Sequence, residues 1–157
     1  MKSRSIQFIG YFFLMVAVLL YTGTKAQAQQ AEVKATVDQL FTGMRTGDSS
    51  LVRKAFIADA TLQSVSITPT GQVKAGKASI ESFIKAVGTP HAEAWDERIY
   101  DLKIEVDGPM ATVWAPYKFY TGDKFSHCGV NAFTLLKTDA GWKIAAITDT
   151  RRKEDCI

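Results

Sequence analysis

Between residues 98 and 151 the sequence alternates apolar and polar residues in four runs. That pattern constrains the fold more than any other feature. "RIYDLKIEV" (98–106) puts Tyr100, Leu102, Ile104 and Val106 on one side, because successive side chains of a strand point to opposite faces. Asp107-Gly108 is a two-residue hairpin signal. "MATVWAPYKFY" (110–120) follows, with Pro116 marking a bulge or an edge. "TGDK" turns the chain, and "FSHCGVNAFTLLK" (125–137) runs back. "TDAG" turns it again, and "WKIAAITDTR" (142–151) closes an antiparallel meander.

Upstream, the period changes from two to 3.6. Val33, Val37, Leu40, Phe41 and Met44 fall on one helical face; Gly43 weakens this helix and Gly47 ends it. Asp48 is an N-cap for a short second helix carrying Leu51, Val52, Ala55 and Phe56. "ATLQSVSI" (60–67) reads as a strand and "TPTGQ" as a turn. "GKASIESFIKAVG" (76–88) reads as a helix with Ile80, Phe83, Ile84 and Val87 inward, and "TPHAEAWD" (89–96) as a loop. Helices first and a meander after predict an α+β fold, with the N-terminal helices packed on one face of a curved antiparallel sheet.

The N-terminus predicts the compartment. Lys2 and Arg4 precede an apolar run of 13 residues, Phe8 to Leu20, and then Ala26-Gln27-Ala28. This is the form of a secretory signal with an A-x-A site, and the run is short of the ~20 residues that span a bilayer. Residues 1–28 are therefore expected to leave and 29–157 to form one exported domain, periplasmic or secreted, with no membrane attachment. The competing reading is an uncleaved anchor. Removing Lys2, Arg4 and Lys25 leaves 16 basic against 16 acidic residues in the mature chain. A basic stripe for nucleic acid is thus not expected.

Export bears on "KFSHCGVNAF" (124–133), which sets His127 beside Cys128. On a strand the two side chains point apart, so the imidazole cannot take its neighbour's thiol proton. With "TDAG" pairing Lys137 to Trp142, Cys128 lies opposite Arg151, and the tail is long enough to bring Cys156 back. A Cys128–Cys156 disulfide is expected in an oxidising compartment; two free buried thiols are the alternative.

The same pairing divides the sheet. Tyr117, Asp149, Arg151, Cys128 and Ala132 fall on one face. Trp114, His127, Asn131, Phe133, Leu135, Trp142, Ile144, Ala146 and Thr148 fall on the other. Both faces are substantially apolar, so one is expected to meet the helices and the other a second subunit, giving a homodimer.

The helix "GKASIESFI", the closing "GWKI", and the stretches "VWAPYKFY", "SHCGVNAF" and "GWKIAAITDTRRKEDC" resemble the nuclear transport factor 2-like (SnoaL-like) superfamily, and within it the exported bacterial branch known as putative lumazine-binding. The resemblance spans about Gln30 to Arg151. It implies a cone: a curved sheet wrapped against helices with a pocket between. Candidate pocket residues are then Tyr117 and Asp149 first, with Trp95 closing the mouth and Trp114, His127, Asn131 and Arg151 as further ligand contacts. Each has a structural alternative: core or dimer interface for Trp114 and Tyr117, a loop anchor for Trp95, a satisfied histidine for His127, a backbone hydrogen bond for Asn131, and an Asp149–Arg151 ion pair.

The superfamily includes acid–base enzymes and non-catalytic binders, and fold alone cannot choose between them. Asp149 with Tyr117, or Asp101 with His127, could supply a base and a hydrogen-bond donor. Neither pair matches a catalytic motif of the superfamily, so the first expectation is a non-catalytic binder of a small apolar or aromatic molecule. A small isomerase, dehydratase or cyclase comes second and an interaction module without ligand third. No catalytic residue is assigned. No phosphate loop, dinucleotide fingerprint or metal-ligand spacing is present in the sequence, so no cofactor or metal is expected. A perturbed carboxylate in the pocket would favour the enzyme, a purely apolar pocket the binder, and a filled cone the third reading.

Overall fold

The computed structural model describes the backbone of residues 4–157 and the side chains of residues 25–157. Lys2 and the apolar run of the expected export signal lie outside the residues whose side chains are described. Helix α1 (Arg4–Thr46) turns Val33, Val37, Leu40, Phe41 and Met44 inward, all buried, as their spacing predicts. Helix α2 (Ser49–Ala55) is capped by Asp48, whose carboxylate accepts from the Ser50 and Leu51 amides. A Cβ at Gly43 would stand 2.7 Å from Val52 Cγ2, so the glycine that weakens α1 is what lets α2 lie against it.

Strand β1 (Phe56–Ile67) and strand β2 (Val73–Ser79) form a hairpin across the Thr68–Gln72 turn. Helix α3 (Ile80–Gly88) is shorter than its sequence pattern suggests. The stretch 76–79, expected as its first turn, is strand, and Ser79 is the cap that accepts from Ser82 N. Gly76 and Lys77 extend the β1 pairing, and tertiary hydrogen bonding outweighs the helical reading there.

Strand β3 (Trp95–Ile99) corrects two further expectations. The stretch ending at Trp95 and Asp96 is not all loop, and 98–106 is not one strand. Asp101, with a φ of 43°, breaks the run into β3 and strand β4 (Lys103–Asp107). Both pair one edge of strand β5 (Met110–Thr121). Strand β6 (Lys124–Thr138) and strand β7 (Gly141–Arg151) complete the sheet. Its order is β2-β1-β7-β6-β5-β3, and it is curved and unclosed. All contacts are antiparallel except β1 with β7, which run parallel.

Two bulges decide which residues share a face. Between β5 and β6, Tyr120 pairs with Phe125 but Phe119 pairs with His127, so Ser126 is an extra residue. Between β6 and β7, Leu135 pairs with Ile144 but Thr134 pairs with Ala146, so Ala145 is extra. Each insertion flips the alternation beyond it. The first moves His127, Asn131 and Phe133 onto the face of Tyr117 and takes Cys128 and Ala132 off it. The second carries Ala146 and Thr148 away from Ile144 and sets Asp149 opposite Asn131. It also places Cys128 opposite Arg152, one residue past Arg151. Cys128 and Cys156 are joined in a disulfide that pins the tail to the outer face of β6.

Candidate functional site

The inner face of the sheet is filled at one end and open at the other. Ala111, Val113, Leu135, Trp142 and Ile144 pack into the helix-covered core. Beyond Ala115 a cavity of about 410 Å³ remains between the sheet, α1 and α3. Leu40, Phe41, Met44 and Phe83 form its helical wall, with Phe119, Phe133 and Ile147 on the sheet. Into this apolar frame project Glu97, Tyr117, His127, Asn131, Asp149 and Arg151. Apolar walls with a few convergent polar groups are the make-up of a small-molecule site.

The polar groups are mutually tied. Asn131 Nδ2 donates to Glu97 Oε1 at 2.6 Å. Asp149 accepts from Ser64 Oγ at 2.5 Å and from Arg151 Nε at 2.8 Å. The ion pair expected from the spacing of 149 and 151 is therefore present. Burial opposes the charge of Arg151, but its hydrogen bond and attraction to Asp149 leave it net raised and fully cationic.

Tyr117 OH donates to the Thr150 carbonyl at 2.9 Å and stands 3.4 Å from Asp149 Oδ2. Its single proton is committed to the shorter bond, so toward a ligand this hydroxyl offers lone pairs only. Burial first, then the charges of Asp149 and Glu97, push its ionisation up. The Thr150 carbonyl reaches inward because residue 129 is glycine. A Cβ there would collide with that oxygen and come within 3.0 Å of Tyr117 Cε1.

Glu97 is the most perturbed carboxyl. Burial raises its carboxyl, the Asn131 hydrogen bond lowers it, and the Asp149 charge raises it again, to about 7. It can therefore hold or release a proton near neutrality. His127 moves the other way: burial, then the Arg151 charge, lower it below its ordinary value, which favours the neutral ring. That ring lies against Phe119, with centroids 5.0 Å apart, and Nδ1 is 3.0 Å from Ser126 Oγ.

Of the residues singled out in the sequence, Tyr117, Asp149, His127, Asn131 and Arg151 converge on the cavity, and Trp95 lies at its rim, 4.1 Å from the His91 ring. The division of these groups between two faces is overturned by the two bulges. Trp114 does not join them: it pairs with Ala132 on the outer face and is 51% exposed. Ala132, expected beside Tyr117 and Asp149, is on the outer face too. Asp101, the alternative partner of His127, sits exposed in the kink before β4. Glu97 was not among the candidates because its strand reads as loop up to Asp96. The Trp95-x-Glu97-x-Ile99 alternation is the signal that marks it. Among the described residues no group of three or more His, Cys, Asp or Glu side chains is placed to hold a metal ion.

The family model described as putative lumazine-binding matches residues 28–148. No curated protein matches the chain in sequence. Among solved structures, an NTF2-like protein with a cystatin-like fold from Novosphingobium aromaticivorans superposes with a TM-score of 0.69 at 12% identity, over 87% of this chain and 90% of that one. A putative dehydratase of the NTF2-like family from Streptomyces avermitilis gives 0.61 at 17% identity, over 80% and 97%. A putative ketosteroid isomerase from Shewanella frigidimarina gives 0.54 at 16% identity, over 75% and 94%. At these identities the likeness extends to fold alone.

Proposed function

The chain belongs to the putative lumazine-binding family of the nuclear transport factor 2-like superfamily, and from that premise we propose that its cone binds a small, flat, largely apolar or aromatic molecule by its polar edge. One observation carries this reading: two hydrogen-bonded pairs, Glu97–Asn131 and Asp149–Arg151, lining an otherwise apolar cavity of about 410 Å³. Apolar walls reward burial of a ring. The two pairs supply a cation, a carboxylate, an amide and an acid that is part-protonated near neutrality, so they can both donate to and accept from a heteroaromatic edge.

The test is a thermal-shift titration with lumazine, since a ligand that binds only the folded state stabilises it in proportion to the logarithm of its excess over Kd. The native protein should shift. Tyr117→Phe and Asp149→Asn should lose the shift while keeping the fold. Unchanged shifts in both variants would leave those residues structural.

Proton-transfer chemistry is the second reading, and Glu97 favours it. A carboxyl at about 7 inside the cavity can take a proton from a bound carbon or nitrogen acid and return it. Tyr117 is not its partner in the donor role, because its proton is held by Thr150; Arg151 is the cation nearest to hand for developing negative charge. Turnover of a bound ligand that disappears in Glu97→Gln would select this reading over simple binding.

Residues 29–157 act, in this proposal, as an exported domain released by cleavage after Ala28. The disulfide supports it, and among the described residues no helix is long and apolar enough to cross a membrane. An intact 157-residue mass in the exported fraction would refute it. Exposed Trp114, Met110, Leu136 and Tyr100 support a homodimer through the outer face, to be checked by light scattering; a monomer at tens of micromolar, well above common dissociation constants, would end that idea.

A further inference from the structure

A second cavity, of about 420 Å³, lies between the C-terminal ends of α1 and α3 and the connection that follows α3. It shares two side chains with the cone, Met44 and Trp95. Met44 is an unbranched side chain that can change rotamer, and Trp95, partly buried against the core, stands 4.1 Å from His91 and 6.4 Å from Phe119 between ring centroids. Resting on the reading of the cone as a small-molecule pocket, we propose that its ligand carries a neutral, donor-bearing arm that passes Met44 and Trp95 into this second cavity.

The lining sets the arm's chemistry. Two helix ends meet here, at Gly47 and Gly88, and helix C-termini present carbonyl oxygens with partial negative charge. Glu93 adds a carboxylate. The one cation of the lining, Arg45, is already paired with Asp96 at 3.3 Å. Thr46 and Thr89 spend their hydroxyl protons on carbonyls of their own helices. Glu93 and the carbonyls at the helix ends are therefore acceptors for a ligand, and the Glu93 charge opposes an anionic one. A hydroxyl or amide N–H on the arm meets those acceptors, and a carboxylate does not. Thr89, Pro90, His91, Glu93 and Ala94 line the cavity from the connection after α3 and are all exposed, so the arm's far end can reach solvent.

The experiment is calorimetric titration of the native protein with three probes: lumazine, lumazine with a hydroxyethyl arm, and lumazine with a carboxymethyl arm. The hydroxyethyl arm is expected to tighten binding about fivefold, the worth of one net hydrogen bond, and the carboxymethyl arm to weaken it. Ala94→Phe fills the second cavity from an exposed position that does not line the cone. It should erase the gain and leave lumazine itself unchanged. Glu93→Gln, which adds no bulk, should reduce the gain and covers the case in which the phenylalanine variant does not fold. Absence of a gain, or a gain that survives both variants, overturns the second chamber while leaving the cone reading intact. A preference for the carboxymethyl arm overturns the donor assignment. Failure of all three probes to bind overturns the cone reading and this inference together.

Discussion

The two ends of the β5–β6–β7 block share strands and a hydrogen-bond ladder but do opposite work. At the end near the β6–β7 turn, Leu135 and Ile144 are completely buried and face α1, with Ala111, Val113 and Trp142 around them. At the other end the same inner face carries Tyr117, His127, Asn131 and Asp149 around open space. One end is packed for stability, and the other keeps polar groups that cost free energy unless they satisfy one another. The bulge at Ala145 lies between the two on β7, and the bulge at Ser126 bounds the open end on β6. On β7 the two halves therefore have separate registers, whereas β5 from Ala111 to Phe119 and β6 from His127 to Leu135 alternate without a break and carry one facing through both ends.

The largest break in this comparison should come from the packed end. Leu135→Ala removes a fully buried side chain and should cost ~2–5 kcal/mol in denaturant unfolding, while the lumazine-induced shift of the folded fraction survives. A loss under ~1 kcal/mol would mean that this end is not the core.

Next comes the tether at the open end. The Cys128–Cys156 bond closes a separation of 28 residues. Cys156→Ser should cost about 3 kcal/mol in the chain-entropy account, with faster hydrogen exchange at the amides of 128 and 152, which bond each other's carbonyls across β6 and the tail. Equal acceleration at Leu135 and Ile144 would show instead that the two ends unfold as one.

The smallest effect is a pH slope carried by Glu97. In the folded protein its carboxyl holds a proton up to about pH 7, against 4.5 for the same group in water. The folded state binds the extra proton between those values, so the contribution is full below about 4.5 and is lost as pH rises through about 7. The change should be at most about 3 kcal/mol, less in so far as solvent screens the half-buried carboxyl. Glu97→Gln should flatten it, and an unchanged slope in that variant would assign the titration to another group.

The packed end was legible in the sequence and the open end only in part, for a physical reason. Val33, Val37, Leu40, Leu135 and Ile144 announce themselves by period, and burial obeys period wherever the ladder is regular. A bulge adds one residue with no compositional mark. Neither Ser126 nor Ala145 differs from its neighbours in kind, yet the first moves His127 and Asn131 to the face of Tyr117 and the second sets Asp149 opposite Asn131. Strand β3 was hidden for a related reason. It is five residues long, begins straight after a loop, and pairs only through long-range contacts with β5. Glu97 was hidden with it. The disulfide, by contrast, survived the one-residue error in its expected cross-strand neighbour, because a flexible tail absorbs such a shift.

The chain's three tryptophans have landed in three different settings: Trp142 in the packed end, Trp95 at the rim of the cavity against an imidazole, and Trp114 on the outer surface. Indole emission depends on solvent contact and on neighbouring quenchers, so each ring is an optical reporter of a separate event. Trp142 should redden only when the core opens, Trp95 should change in intensity when a ligand displaces it from His91, and Trp114 should shift toward the blue if a second molecule covers it. With the other two replaced by phenylalanine in turn, unfolding, ligand capture and self-association become three separable light signals from one unlabelled protein.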